Sequence, residues 1–424
     1  MNTIDKYSEY VNTSMLAGIV PVVFDRGEGA VVFGEDGGKH IDCFAGISVT
    51  SVGHSNPEVI EAAKAQLDKY IHCCSYVYYS KPMADLAEKL AQITPGRLKK
   101  SFFANSGAEA MEGAMRMVKT YTGKRELIAL QTSFHGRTYA TLSITGNLAR
   151  KKRAGPYMPG VSFAPAPYCY RCAFNLKPET CGMRCAEYVE DIIRFDTSGD
   201  VAAFIAEPVL GEGGIISPPE PYFKKVKEIL DRYNILLLID EVQTGIARTG
   251  KMFAIEHFGV EPDVMAVAKG IANGFPLSAF IAPDEIADTF QPGEHLTTFG
   301  GNPVSCAASL ATINFLERER IIDKVVQQEK WLKERLESIK KKYPIIGDVR
   351  GRGLMIGVEL VKDNAKTPAA AEAGAVRNSC LEKGLLIGVG GILTNVLRIQ
   401  PPLVITDDQL DEAAAIIEKS LGEL

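Results

Sequence analysis

Apolar positions along this chain cluster in short unbroken runs that stop at a polar residue or glycine and give way to helical spacing. SFFANSGAEAMEGAMRMVKTYTG, VAAFIAEPV, YNILLLIDEVQTG and PDVMAVAKGIANG all show this rhythm. A run apolar at every position, such as Ile235 to Ile239, suits a strand covered on both faces, as in a parallel sheet with helices on either side. After Ser106, residues Met111, Ala114, Met115 and Val118 fall at i, i+3, i+4 and i+7. That spacing predicts a helix beginning where the strand SFFAN stops, with its N-terminus facing the carboxyl edge of the sheet. The pattern predicts an α/β core.

From about Asn302 the texture turns to long charged amphipathic helices, including INFLERERIIDKVVQQEKWLKERLESIKKKY, then to short strands around GLMIGVELV and VLRIQPPLV. Hairpin patterning marks the beginning of the chain, in GAVVFGEDGGKHIDCFAG with Asp36-Gly37-Gly38 as the turn. The expected division is residues 1–50, 51–302 and 303–424, with both chain ends joining in a smaller layer.

Composition narrows the class. A length of 424 residues exceeds the size at which one hydrophobic core stops growing, and 46% hydrophobic with 23% charged residues is ordinary for a globular protein. Forty-seven basic against fifty-two acidic side chains leave a net charge of -5, which argues against a nucleic-acid partner. The run Arg150 to Arg153 therefore reads as solvated surface. Apolar runs fall far short of a membrane span and the first ten residues hold no signal-type apolar core, so a cytoplasmic location is expected. Nine cysteines fit reduced thiols. Four of them, Cys169, Cys172, Cys181 and Cys185, are spaced C-x2-C-x8-C-x3-C, which leaves disulfides, free thiols and a structural metal all open.

A wound sheet binds ligands outside the carboxyl ends of its strands. Three apolar runs deliver charged residues there: ILLLI ends in Asp240 and Glu241, VMAVA in Lys269, and FIA in Glu207. A lone lysine at such a place usually snorkels to water. An ammonium after a buried strand is costly unless its pKa falls or it forms a covalent adduct, and an imine removes the charge. Pyridoxal phosphate needs a lysine for its aldehyde, a carboxylate for its ring nitrogen and a cradle of amides for its phosphate. Lys269, Asp240 and the helix start Ser106-Gly107-Ala108 are candidates for the three. No GxGxxG dinucleotide turn, Walker loop, HExxH or GxSxG stands in a fitting context.

In GISVTSVGHSNPEV, FFANSGAEAMEGAMRM, SFHGRT, AEPVLGEGG, LLLIDEVQTGIARTGKMFA, PDVMAVAKGIANGFP, TTFGGNP, VRGRGLMIGVEL and LRIQPPL, in that order, the chain resembles the class III, fold-type I aminotransferases that use pyridoxal phosphate. That group includes the 4-aminobutyrate, ornithine and acetylornithine enzymes. The resemblance implies a large, mostly parallel sheet domain with helices on both faces and a smaller α+β domain. It implies that Lys269 holds the cofactor and Asp240 pairs with its pyridine nitrogen, with Val242 and Phe134 sandwiching the ring. It further implies Gln243 on the phenolic oxygen, His135 and Glu207 beside the cofactor, and Ser106, Gly107 and Ala108 on the phosphate. Thr298 would reach that phosphate from the other subunit of a homodimer or dimer of dimers.

On the substrate side the resemblance places Ile47 near the donor, Arg137 at a distal carboxylate and Arg398 at an α-carboxylate, the guanidinium fork suiting that grip. Glu207 is expected to pair with Arg398 when the donor lacks an α-carboxylate and to release it for 2-oxoglutarate, the alternative being a permanent ion pair. The expected activity is transfer of an amino group from an ω-amino acid or related amine to 2-oxoglutarate by a ping-pong mechanism. The alternative is an amino-acid racemase or epimerase on the same fold. No resident metal is expected at the active site.

Overall fold

The computed structural model describes residues 1–15 and 18–424. Its main sheet has seven strands: β1 (Lys100–Ala104), β2 (Glu126–Leu130), β3 (Val161–Ala164), β4 (Val201–Ala206), β5 (Leu236–Asp240), β6 (Val264–Val267) and β7 (Ser278–Ala282). They lie in the order β1-β7-β6-β5-β4-β2-β3. Strands β2 to β6 are mutually parallel, while β7 runs antiparallel to both β6 and β1. The direction of β1 therefore matches the parallel set, and its carboxyl end lies on the same edge.

Alternation explains why the central strands β4, β5 and β6 are apolar up to their carboxyl ends. Leu238, Ile205, Ala266 and Leu127 pack on one face with Met111, Ala114, Met115 and Val118 of the helix α1 (Gly107–Thr122). Their neighbours Leu237, Ile239, Phe204 and Met265 join the core on the other face, which holds Val189 and Ile193 of helix Arg184–Phe195 and Val226 and Ile229 of helix Pro221–Arg232. Both faces of these central strands are covered, so period-two polarity disappears from them. Helix α1 starts on a cap, the Ser106 hydroxyl accepting from the Glu109 amide at 3.2 Å. It ends at Gly123 in the left-handed conformation.

The early hairpin pairs Val31–Gly34 with Lys39–Asp42, and Gly37 takes φ 81° in its turn. Lys39–Asp42 then pairs in parallel with Leu385–Leu386, so both chain ends share one sheet. A separate four-stranded sheet, Ile346–Arg352, Met355–Leu360, Val396–Ile399 and Gly388–Gly390, carries Arg398 on an interior strand. The charged segment after Asn302 forms two helices, Pro303–Arg318 and Ile321–Lys342, broken at Arg320 with φ 51°. The first packs against helices Pro57–Leu67 and Lys81–Ile93. Among the described residues, no helix is long and apolar enough to cross a membrane.

Leu238, fully buried beneath α1, is a direct test of this layer: Leu238→Ala is expected to destabilise the fold by about 2–5 kcal/mol. Urea unfolding should show a lowered midpoint with an unchanged slope.

Candidate active site

Strand register builds the site. Ala206 of β4 lies opposite Ile239 of β5, and Asp240 opposite Ala266 of β6. Glu207, Asp240 and Lys269 thus emerge together at the carboxyl edge, where they line a cavity of about 580 Å³. Ser106, Gly107, Ala108, Phe134, His135, Arg137, Val242 and Gln243 line the same cavity. The sequence-predicted cofactor residues therefore converge, with the exception of Thr298.

Buried charge here is held by specific partners. Asp240 is 3% exposed, bonded to His135 Nδ1 at 2.7 Å through one oxygen and accepting from the Val242 amide at 2.9 Å through the other. The opposite ring nitrogen of His135, Nε2, is buried without a partner. Lys269 is in the left-handed region at φ 48°, a costly conformation for a residue with a side chain. Its side chain meets the cavity, yet surrounding protein lowers its pKa, burial outweighing the opposing pull of Asp240 and Glu207. Burial raises Glu207 to about 7, with Asp240 adding to the rise and His135 and two amides opposing it.

The amide cradle also fits a phosphate. Gly107 and Ala108 open α1, so their N–H groups have no acceptor within the helix. A Cβ on Gly107 would come within 2.8 Å of Val242 Cγ1, so the backbone approaches that residue as closely as only glycine permits. Free amides at a helix start, a buried carboxylate and a lysine of lowered pKa in one cavity match the three demands of pyridoxal phosphate.

The expected pairing of Glu207 with Arg398 is corrected by the structure. Both Glu207 oxygens are engaged by backbone, Oε1 accepting from the Phe134 amide at 2.9 Å and Oε2 from Gly211 at 2.8 Å. The carboxylate beside Arg398 belongs instead to Glu212, with Oε2 at 3.7 Å from Nη1. The reason is local: Leu210 and Ile216 form an antiparallel bridge, placing Glu212 at the tip of a small hairpin and Glu207 at its base. Glu212 was visible in sequence only as the second glutamate of AEPVLGEGG.

Other expected contacts lie outside the cavity lining. Arg398 is 3% exposed, and its Nε and Nη2 have no partner. Ile47 is 41% exposed and sits in a run from Ala45 to Ser48 whose φ angles are all positive. Thr298 is exposed on a segment where Leu296 and Phe299 are also bare.

All four clustered cysteines line one small cavity as free thiols. Among the described residues, no group of three or more His, Cys, Asp and Glu side chains is placed to hold a metal ion. Burial lifts Cys185 to about 11, which keeps it protonated near neutrality. The cysteine segment is anchored through Glu359, which accepts from the Tyr168 hydroxyl and from Arg171 Nε at 2.5 Å.

Glu241 follows Asp240 but turns into the core, 1% exposed, accepting from the Ile255 amide at 2.8 Å and from the Thr244 hydroxyl. Burial raises its pKa from 4.5 to about 7. The folded state therefore holds a proton that the unfolded chain releases; the stability this contributes is full below pH 4.5 and is lost as pH rises through 7. Its size is about 3 kcal/mol. The melting temperature of the cofactor-free protein should fall across this window, and Glu241→Gln should flatten the fall. An unaltered pH profile in the variant would contradict the assignment.

Residues 14–421 match the family Aminotransferase class-III. A leucine/methionine racemase of Thermococcus litoralis is 39% identical, aligned over 99% of this chain and 95% of that protein. An acetylornithine aminotransferase of Methanothermobacter thermautotrophicus is 40% identical over 95% of each chain. Among solved structures, the omega transaminase of Pseudomonas jessenii in complex with PMP superposes with a TM-score of 0.94 at 28% identity, covering 100% of this chain and 98% of the other. The chain belongs to the class-III aminotransferase family, whose members depend on pyridoxal phosphate.

Proposed function

We propose that this aminotransferase moves an amino group from a donor bearing a distal carboxylate, of the 4-aminobutyrate, ornithine or acetylornithine type, to 2-oxoglutarate. The observation that carries the acceptor is Arg398, a buried guanidinium with two unpartnered donors near the lysine. Arg137, which lines the cavity, is the candidate for the far carboxylate. Two guanidiniums around one reactive amine suit a dicarboxylic oxo acid. The acetylornithine aminotransferase relative supports the donor class.

Pyridoxal phosphate, when bound, supplies an electron sink for negative charge at the substrate carbon that carries the amino group. Asp240, oriented by His135 and the Val242 amide, is positioned to keep the ring nitrogen protonated. Phe134 and Val242 are the proposed sandwich, and Gln243 the partner of the phenolic oxygen. The Gly107 and Ala108 amides, with Ser106, hold the phosphate. Glu207 fixes the Phe134 loop through its amide. Lys269, a poor ammonium where it stands, is suited as the free amine that takes a proton from the donor carbon and delivers it. Glu212 takes over the switching role first expected of Glu207, covering Arg398 for donors without an α-carboxylate.

Thr298 lies between the exposed Leu296 and Phe299, and the segment that begins at Ile71, whose carbonyl accepts from the Asn302 side chain, exposes Ile71 and Tyr76 to Tyr79. A second copy covering these residues and delivering Thr298 to the phosphate is the proposed assembly. Residues 51–302 are the proposed cofactor domain, with 1–50 and 303–424 as the smaller one. A racemase activity is the second reading, carried by the full-length racemase relative. Incubation with L-methionine and no oxo acid decides between them: formation of the D-enantiomer without an oxo product would replace the transaminase reading.

Arg398→Ala should raise KM for 2-oxoglutarate on the order of 100-fold, while the half-reaction of an amine lacking an α-carboxylate loses far less; equal losses would overturn the acceptor assignment. Gly107→Ala should displace Val242 and weaken cofactor affinity about tenfold, measured by fluorescence titration of apoprotein. Unchanged affinity would remove Val242 from the ring.

A further inference from the structure

The basic run that begins at Arg150 is not uniformly solvated. Asn147 ties this loop back to the site: its amide donates to the Ser133 carbonyl at 3.1 Å, and its side chain accepts from the Ala149 amide at 3.1 Å. From that turn Arg150 reaches Glu212, donating from Nε to Oε1 at 2.9 Å and from Nη2 to the same oxygen. Glu212 is therefore shared. Its Oε1 is taken by Arg150, and its Oε2 forms with Arg398 Nη1 only a long ion pair, at 3.7 Å, without a hydrogen bond.

Arg398 has little freedom to follow. A Cβ on Gly390 would come within 2.9 Å of its Cδ, so the stem runs tightly along the neighbouring strand, and its guanidinium lies 5.5 Å from the centre of the Phe44 ring. Its unpartnered Nε and Nη2 are buried donors, and leaving such donors unpaired is costly. Two groups can satisfy them: Glu212, if it swings inward, or a carboxylate brought by substrate. Whatever holds Glu212 outward favours the second.

We propose that Arg150 sets substrate preference by holding Glu212 off Arg398, so that the site stands open to amino and oxo acids carrying an α-carboxylate. The inference rests on the reading of Arg398 as the carboxylate grip. Because the Arg150 side chain is 54% exposed, its hold on Glu212 is modest and weakens with salt. It biases the switch without locking it.

Calorimetric titration of the holoenzyme with glutarate, a dicarboxylate with neither amino nor oxo group, tests this without turnover. Arg150→Ala should weaken glutarate about three- to tenfold, Arg150→Lys should recover part of that loss, and KM for 2-oxoglutarate should rise by a similar factor with the effect on KM rather than kcat. In a Glu212→Gln background, Arg150→Ala should have no effect on glutarate. Wild-type affinity in Arg150→Ala, with glutarate lost in Arg398→Ala, would overturn the role of Arg150 alone. Persistence of the Arg150→Ala loss in the Glu212→Gln background would also overturn it, since Arg150 would then act on the ligand itself. Unchanged glutarate binding in Arg398→Ala would overturn the underlying reading of the grip.

Discussion

The active edge depends on keeping two carboxylates, an imidazole and a lysine charged or neutral as needed where water is scarce. Parallel register fixes their positions: β4, β5 and β6 end level, so Glu207 and Asp240 emerge as neighbours and Lys269 follows two residues after the end of β6. Their electrostatics then depend on which group each carboxylate meets. Both line the reactive cavity, but Asp240 meets a side chain, His135, besides one amide, whereas Glu207 meets two amides. A low-dielectric pocket amplifies each of these choices.

Much of this edge was legible in the chain because burial on both faces erases polarity from a strand. The residues that break the apolar runs, Glu207, Asp240 and Lys269, stood out for that reason. Ser106 was legible as a cap because the helical spacing starts just after it. Loop geometry was not legible. Two glutamates five residues apart in AEPVLGEGG are equally plausible partners for an arginine until the Leu210 to Ile216 bridge places one at the base and one at the tip. Arg150 was likewise hidden, since a basic run carries no sign of which member pairs with Glu212.

Backbone strain was the other silent feature. Ala45, Ile47 and Ser48 join Gly46 at positive φ, and only the glycine signals that conformation in sequence. A β-branched residue held left-handed persists because its surroundings dictate it. Here the Asp42 carboxylate accepts from the Phe44 and Ala45 amides at 2.8 Å each, pinning the entry to the turn. The other Asp42 oxygen bonds His54 at 2.7 Å. One buried acid thus organises the segment that carries Ile47 and sets the Phe44 ring beside the Arg398 guanidinium.

The pairing of Ile41 with Leu385 has a consequence for how the protein is made. The early hairpin leaves the ribosome before the seven-stranded sheet, yet the strand that completes its own sheet is synthesised only after that sheet. Domains generally acquire structure as they emerge, and late pairing between distant segments is slow because the intervening chain must be ordered before the contact is rewarded. The early hairpin must therefore wait with an unpaired edge while the seven-stranded sheet assembles, and an open edge is a template for wrong partners. Its brevity and the polar residues Lys39 and His40 on that edge strand limit the hazard during translation.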